Sequence, residues 1–244
     1  MTNRLLAGVR MESREGAGFD RRRTIGLVEE RVRERLSGES TGHDWWHIDR
    51  VRRMAMSIAE VTGNADTYAV ELAALLHDVS DWKFNGGNEQ ASSRTAEEWL
   101  NELGVDAATI ALVSSAISDV TFKGIGQARA PATVEGKIVQ DADRLDAIGA
   151  IGIGRAFAYG GRMGREMHSP GEIPQQHATF EEYRRSRSST INHFHEKLLH
   201  LRDLMNTARG REIAEGRHMF MLEFLDRFGL EWEGRDCPGV NGGE

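Results

Sequence analysis

Apolar residues recur every three or four positions along most of this chain, which is the spacing of amphipathic helices. In the first such segment, from about Thr24 to Leu36, mostly charged or polar residues fill the positions between Ile25, Val28 and Val32. Alternating runs of β-branched residues are almost absent, and the chain has only four prolines. The pattern therefore predicts an all-α fold.

Breaks rich in glycine, serine and asparagine divide this pattern into separate helices. The predicted helices cover about residues 24–36, 44–61, 66–79, 89–103, 107–117, 133–144, 146–159, 180–206 and 211–228. Asp66 is a candidate N-cap for the third helix, whose apolar surface is wide enough for a buried central helix. The Gly-rich segment over residues 160–177 is long enough to form a lid or a binding loop.

The chain shows no internal repeat and no clear linker between domains. We therefore expect one helical domain over residues 21–230, with a helical extension at its C-terminal end. Residues 1–20 lack helical periodicity and are expected to form a disordered leader, while the Gly-rich residues 231–244 are expected to form a flexible tail. A chain of 244 residues is long enough to bury a core of this size.

Composition narrows the environment and the partners of the protein. Hydrophobic residues make up 39% and charged residues 28% of the chain, and the formal net charge is −7. The negative net charge argues against nucleic acid and against an anionic membrane as partners, since proteins bind both through clustered Lys and Arg. The single cysteine, Cys237, cannot form an intrachain disulfide, and no apolar stretch reaches the length of a membrane span. We therefore expect a cytoplasmic protein, whose oligomeric state stays open, with a homodimer among the alternatives.

Candidate metal ligands lie on three different predicted helices: His47, the adjacent pair His77 and Asp78, and Asp141. The adjacent pair follows an almost unbroken apolar run, where polar side chains are costly unless a ligand satisfies them. Two imidazoles and two carboxylates suit a divalent cation and leave coordination positions open for a water and a phosphate oxygen. The cation would also let an acidic protein bind a small phosphorylated substrate.

The adjacency of His77 and Asp78 sets a geometric condition on this site. Neighbouring helical residues point about 100° apart, so one ion can contact both only near the end of a helix, as the following Val79-Ser80-Asp81 suggests. The alternative for the pair is a histidine that interacts with the negative end of the helix dipole. For His47, the alternative is a partly buried polar residue on an amphipathic helix.

The strings around these residues resemble the HD superfamily of metal-dependent phosphohydrolases, whose pattern is a His, then His-Asp, then a distant Asp. The matching strings are Gly42-His43-Asp44-Trp45-Trp46-His47, Leu75-Leu76-His77-Asp78 and residues 136–150, which include Gln-Asp-Ala-Asp-Arg-Leu-Asp-Ala. The resemblance covers about residues 24–225 and is greatest to a small bacterial subgroup related to nucleotide pyrophosphohydrolases. It implies an HD-domain helical bundle with a C-terminal helical extension, and one divalent metal ion (Mn, Fe, Co, Ni or Mg).

The resemblance assigns Asp141, rather than Asp143, as the fourth ligand. Asp141 shares a helix face with Leu145 and Ile148 and is therefore expected to point inward, whereas Asp143 pairs with Asp146 three residues later. We expect Asp143 and Asp146 to be structural, and Asp146 is a candidate cap for the helix that follows.

Further candidates surround the proposed ligands. Asp81 follows Asp78 by three residues, an offset at which the resemblance implies a general acid or base; a solvated loop carboxylate is the alternative. Lys83 and Arg50 are candidates for neutralising phosphate oxygens, although Arg50 can equally form a structural salt bridge. Asp44 is a candidate for orienting His47 or, equally, for capping its helix.

The substrate-binding candidates are Trp82, Lys123 and Arg129. Trp82, like Trp45 and Trp46, flanks the proposed site and could stack on a nucleobase, although core packing is the commoner role of tryptophan. Lys123 and Arg129 lie in the segment before Pro131 and could reach an anionic substrate, although most loop cations are solvated.

The sequence thus predicts a metal-dependent phosphohydrolase for a small phosphorylated substrate, with a nucleotide of the pyrophosphohydrolase type as the main hypothesis. A phosphomonoesterase or a cyclic phosphodiesterase with the same site is the first alternative. A non-catalytic HD module that binds a nucleotide or a metal to regulate a partner is the second. A purely structural helical protein is the third, and it predicts no bound metal.

Overall fold

A computed structural model of the protein describes residues 15–38, 44–80, 90–120, 130–175 and 188–236, with side chains from residue 21 onward. Every regular element within these ranges is helical, which confirms the all-α class. The elements are α1 (Glu15–Arg35), α2 (Trp45–Thr62), α3 (Thr67–Leu76), α4 (Ala91–Glu102), α5 (Ala107–Val120), α6 (Val134–Asp146), α7 (Gly149–Arg162), α8 (Thr190–Glu196), a 3₁₀ helix (Leu198–Leu204) and α9 (Ala208–Trp232). None of these helices combines the length and apolar character that crossing a bilayer requires.

Helix α3 forms the centre of the core. Asp66 caps it by accepting hydrogen bonds from the backbone nitrogens of Tyr68 and Ala69, as predicted. Its residues other than Thr67 and Glu71 are buried, and it packs against α1, α2, α5 and α6. Burial of each large aliphatic side chain contributes about 1.5–3 kcal/mol, so this helix stabilises the bundle. Its packing also fixes the position of His77 and Asp78, which follow it.

The predicted continuous helix over residues 180–206 is wrong where the structure describes it. Helix α8 ends at Glu196, and Lys197 leaves helical geometry with φ −141° and ψ −57°. The following turn is a 3₁₀ helix, in which Leu198 and Leu201 are buried. A spacing of three residues is the period of a 3₁₀ helix, so the leucines that resembled an α-helical stripe are buried by the tighter turn.

The described part of the Gly-rich segment, up to residue 175, is tied to the start of α8. The backbone nitrogens of Thr190 and Ile191 donate to the carbonyls of Glu166 and Met167. The division of the chain into leader, domain and tail stays a prediction, although α1 begins at Glu15, inside the predicted leader.

Candidate metal centre

His47 enters the site from the first turn of α2. Asp44 is the N-cap of this helix and accepts a hydrogen bond from the backbone nitrogen of His47 at 3.0 Å, so the capping alternative for Asp44 is confirmed. The His47 side chain is fully buried, as are those of Val51 and Ile58 on the same helix. The cap therefore fixes where the helix begins, and burial fixes the direction of the imidazole.

His77 and Asp78 lie where α3 ends. The helix stops at Leu76, His77 is its C-cap, and residues 77–80 form a turn. Ligand atoms of His47, His77 and Asp78 all lie within 4.8 Å of one another. One ion can contact both His77 and Asp78 only near a helix end, and this condition is met because α3 ends at this pair.

The hydrogen bonds of the two imidazoles indicate which ring nitrogen of each carries the proton in the neutral form. His77 Nδ1 lies 2.8 Å from the carbonyl oxygen of Ala74, and His47 Nδ1 lies 2.8 Å from Oδ2 of Asp146. Carbonyl and carboxylate oxygens only accept, so each Nδ1 carries the proton and donates it. In the neutral imidazoles both Nε2 atoms are then acceptors, and they face each other at 3.3 Å.

Burial lowers the pKa of His47 to about 4, and the positive charge of Arg155 acts in the same direction. The hydrogen bond to Asp146 opposes this shift without reversing it. His47 is therefore neutral at pH 7, and the neutral imidazole is the form that binds a metal ion.

Two carboxylates complete the group around the facing nitrogens. Asp78 Oδ2 lies 3.7 Å from His47 Nε2, and Asp143 Oδ1 lies 3.5 Å from His47 Nε2 and 3.8 Å from Nε2 of His77. Neighbouring ligands about 2.1 Å from an octahedral ion are about 3 Å apart. The imidazole nitrogens of His47 and His77 and an oxygen of Asp78 thus form a group that could hold a divalent cation, and Asp143 lies beside both imidazoles.

Asp141 lies elsewhere, and the structure corrects its expected position. Its Oδ1 accepts hydrogen bonds from the backbone and side-chain nitrogens of Asn206, both at 2.8 Å. Its Oδ2 accepts from the backbone nitrogen and the hydroxyl of Thr207, both at 2.7 Å. Asp141 therefore holds the start of α9 against α6, with both of its oxygens engaged by protein donors.

Helix geometry explains why Asp143, rather than Asp141, lies beside the two imidazoles. Residues two apart on a helix point about 200° apart, so one aspartate faces α9 and the other faces the imidazoles. Helix α6 packs against α2, α3, α5, α7 and α9, and consequently has more than one buried side. The prediction that Asp141 points inward was correct about burial, since it is fully buried, but wrong about which neighbours it meets.

Asp146 organises the polar groups behind His47. Besides the His47 bond, its carboxylate accepts from Arg50 at 2.6 and 3.0 Å and from Arg155 at 2.6 Å. Burial alone would raise the pKa of Asp146, but hydrogen bonds from His47 and Arg50 outweigh it and hold the pKa well below its usual range. The expected capping role is wrong, because the cap position of α7 is Ile148.

The remaining candidates divide into three groups. Arg50 forms a salt bridge with Asp146, the structural role that the sequence analysis gave as its alternative. Arg155, which sequence reasoning missed, forms a second salt bridge with the same carboxylate. The signal for Arg155 is a cation in the middle of the apolar and Gly-rich α7, whose other cation, Arg162, is its last residue. Trp45 is buried beside Arg33, whereas Trp46 is 61% exposed. Five candidates lie outside the described residues: Asp81, Trp82, Lys83, Lys123 and Arg129.

Comparison with known proteins shows which proteins the chain resembles. The HD-domain family model matches residues 45–148, a range that begins with α2 and ends just before α7. YpgQ, an uncharacterized protein of Bacillus subtilis, is 39% identical over 211 residues, which are 86% of this chain and 92% of YpgQ. The crystal structure of YpgQ in complex with ADP has a TM-score of 0.68 at 35% identity, covering 91% of this chain and 99% of that one.

Two further crystal structures are similar over most of their length. A protein from Lactobacillus plantarum has a TM-score of 0.75 at 35% identity, covering 87% of this chain and 98% of that chain. An HD-superfamily hydrolase from Bacillus thuringiensis has a TM-score of 0.68 at 40% identity, with the same coverage of 87% and 98%. With relatives this similar over nearly their whole length, and with the domain match lying across the helices that carry the site, the chain belongs to the HD-domain family.

Proposed function

We propose that this protein is a divalent-metal-dependent phosphohydrolase that acts on a nucleotide. The observation that carries the proposal is the pair of Nε2 atoms of His47 and His77, which face each other at 3.3 Å. Both Nδ1 atoms are engaged with acceptors, so in the neutral rings the two Nε2 lone pairs face each other. Four acceptors that converge in a mostly buried space favour a cation among them.

The ligands in this proposal are His47, His77, Asp78 and Asp143. Their mixture of imidazole and carboxylate suits Mn²⁺, Fe²⁺, Co²⁺, Ni²⁺ or Mg²⁺. A divalent ion bound there supplies Lewis-acid activation of water and of a phosphoryl oxygen. The two carboxylates offset the charge of the ion, and the two neutral imidazoles bind it without adding charge.

The other residues of the chain act on the phosphate and on protons. Arg50 and Arg155 bind Asp146 next to His47, and their side chains are 30% and 19% exposed, so we assign the two guanidinium groups to the phosphate. In this proposal Asp81 is the general acid or base, and Lys83 offsets phosphate charge. Trp82, Lys123 and Arg129 are the proposed contacts to the rest of the substrate.

The nucleotide class rests on the family and on one relative. YpgQ, 35% identical in the structural alignment, has been crystallised with ADP, which supports a nucleoside phosphate as the substrate here. The resemblance to nucleotide pyrophosphohydrolases favours cleavage of a triphosphate with release of pyrophosphate. Release of inorganic phosphate from a nucleoside monophosphate would instead identify a phosphomonoesterase, and opening of a cyclic nucleotide a cyclic phosphodiesterase, the alternatives that use the same site.

A substrate screen with matched variants tests the proposal. Purified protein is incubated with nucleoside mono-, di- and triphosphates and with cyclic nucleotides in the presence of Mn²⁺, Co²⁺, Ni²⁺ or Mg²⁺, and the products are identified. Several kcal/mol of transition-state stabilisation depend on the ion, so the double variant His77→Ala, Asp78→Ala should lose at least about a hundredfold in rate. Glu60→Gln is the matched control, because Glu60 is an exposed carboxylate on α2.

The outcomes separate the competing functions. Turnover that requires the metal, is lost in the double variant and is kept in Glu60→Gln supports a phosphohydrolase. Binding of metal and nucleotide with no turnover of any compound would instead indicate the regulatory module. Full activity in the double variant contradicts the proposed site.

A further inference from the structure

One carboxylate, that of Asp146, contacts three different side chains around the proposed centre. Oδ2 of Asp146 lies 2.8 Å from Nδ1 of His47 and 2.6 Å from Nη1 of Arg155. Arg50 binds both oxygens, through Nε to Oδ1 and through Nη2 to Oδ2. Asp146 itself is only 4% exposed, and these contacts compensate the negative charge of its buried carboxylate.

We infer that Asp146 is a positioning residue that fixes both the metal-facing tautomer of His47 and the guanidinium groups of Arg50 and Arg155. The inference rests on the proposed function, because it assigns how the protein prepares His47 for a metal and the two arginines for a phosphate. Asp146 itself touches neither metal nor substrate in this account. It acts through the residues that it holds.

The effect on His47 follows from the chemistry of the two ring nitrogens. A carboxylate can only accept, so it stabilises the tautomer with the proton on Nδ1 and leaves the lone pair of Nε2 directed at His77 and Asp143. In the other tautomer, the proton on Nε2 would occupy the space proposed for the ion. Carboxylates that accept from a ligating imidazole raise its basicity and fix its ring, and their loss commonly costs about 10–100-fold in metal affinity.

The effect on the arginines follows from burial. Arg50 lies on α2 and Arg155 lies on α7. The carboxylate of Asp146, which binds both, therefore links these two helices. Bidentate binding restrains the guanidinium plane of Arg50 more than a single bond would. Removing Asp146 would leave the guanidinium groups of Arg50 and Arg155 near each other without their counter-ion. Their mutual repulsion would displace them and weaken the binding of a phosphate.

The test reads the tautomer of His47 in the metal-free protein. Long-range ¹H–¹⁵N correlation spectra at pH 7.5 distinguish the protonated from the unprotonated ring nitrogen, and a His47→Gln variant assigns the signal among the nine histidines. Wild type should show a protonated Nδ1 and an unprotonated Nε2. Asp146→Ala should shift His47 toward the Nε2-protonated tautomer and raise the Kd for Mn²⁺ about 10–100-fold.

Two further variants distinguish positioning from a merely structural role. Asp146→Asn keeps one oxygen for His47, so it should retain more of the wild-type tautomer and Mn²⁺ affinity than Asp146→Ala does. Arg155→Met removes a guanidinium but leaves the bond between Asp146 and His47, so the tautomer should not change. Loss of the tautomer preference in Arg155→Met with retention in Asp146→Ala would overturn the inference.

The wild-type spectrum is decisive even if Asp146→Ala does not fold. A protonated Nε2 on wild-type His47 overturns the inference, as does an unchanged tautomer with unchanged Mn²⁺ affinity in folded Asp146→Ala. If wild type binds no Mn²⁺, Co²⁺, Ni²⁺ or Mg²⁺, the proposed function fails instead. The tautomer comparison between wild type and the Asp146 variants then still tests whether Asp146 positions His47.

Discussion

At the scale of single residues, the position of two protons defines the site. The carbonyl of Ala74 and the carboxylate of Asp146 each accept a hydrogen bond from Nδ1 of one imidazole, which leaves Nε2 of each neutral ring as an acceptor. Asp143 adds a carboxylate oxygen 3.5 Å from one of them. A helical protein with no ligand would gain nothing from holding acceptors this close together in a buried place, so these contacts favour a cation-binding role over a structural one.

Asp141 and Asp143 provide a matched pair of variants on one helix. Asp143→Asn should raise the Kd for Mn²⁺ by about tenfold or more, because it replaces a charged ligand oxygen. Asp141→Asn should leave this Kd unchanged and lower the free energy of unfolding by at least about 2 kcal/mol. The reason is that each hydrogen bond to a charged group contributes about 1.5–3 kcal/mol and Asp141 accepts four.

Mn²⁺ titration and urea unfolding measure the two effects separately. Folded Asp141→Asn protein that no longer binds Mn²⁺, together with unchanged binding by Asp143→Asn, would restore Asp141 as the ligand. The burial of Asp141 explains why sequence reasoning favoured this aspartate over Asp143. Hydrophobic periodicity indicates which residues are buried, and Asp141 is buried, but it does not indicate which of several neighbouring helices the buried side chain meets.

At the scale of secondary-structure elements, the ends of helices carry the chemistry. Helix α3 ends at Leu76 and presents His77 and Asp78, and α9 starts at Thr207, which docks on Asp141. The Thr207 hydroxyl accepts from the backbone nitrogen of Gly210 at 2.9 Å and donates to Asp141 at 2.7 Å. A Cβ on Gly210 would collide with the Asp141 carboxylate, so glycine permits this close approach.

Thr207→Val tests the docking of α9 with little change in volume. The variant loses the N-cap and the hydroxyl bond to buried Asp141, so the free energy of unfolding should fall by about 1–3 kcal/mol in urea titrations. Thr62→Val is the matched control, because Thr62 lies at the exposed end of α2 and donates only to the carbonyl of Ile58. That control should stay within about 0.5 kcal/mol of wild type. Equal stability of the two variants would contradict the docking role.

Local signals explain which elements the sequence predicted well. Asp66 and Asp44 are N-caps, and both helices begin where these caps predicted, within one residue. The break at Lys197 had no such signal, since neither glycine nor proline marks it. Leucine spacing alone does not separate an α-helix from a 3₁₀ helix, so the predicted helix over residues 180–206 continued through the break.

At the scale of the whole molecule, the site depends on helices that are distant in sequence. His47 contacts His77, 30 residues away, and Asp146, 99 residues away. Helices α2, α3 and α6 pack against one another, and their mutual rotation decides which side chains converge. Periodicity does not specify that rotation. The HD-type resemblance supplied the bundle and three of the proposed ligands, and packing supplied Asp143, Asp146 and Arg155.

The central claim is that one divalent cation binds where these three helices meet. Anomalous diffraction at the manganese absorption edge, from crystals grown with Mn²⁺, tests it most directly. The account predicts a single strong peak about 2.0–2.4 Å from Nε2 of both His47 and His77 and from carboxylate oxygens of Asp78 and Asp143. A peak coordinated by Asp141, or no peak beside the two imidazoles at saturating Mn²⁺, would contradict it.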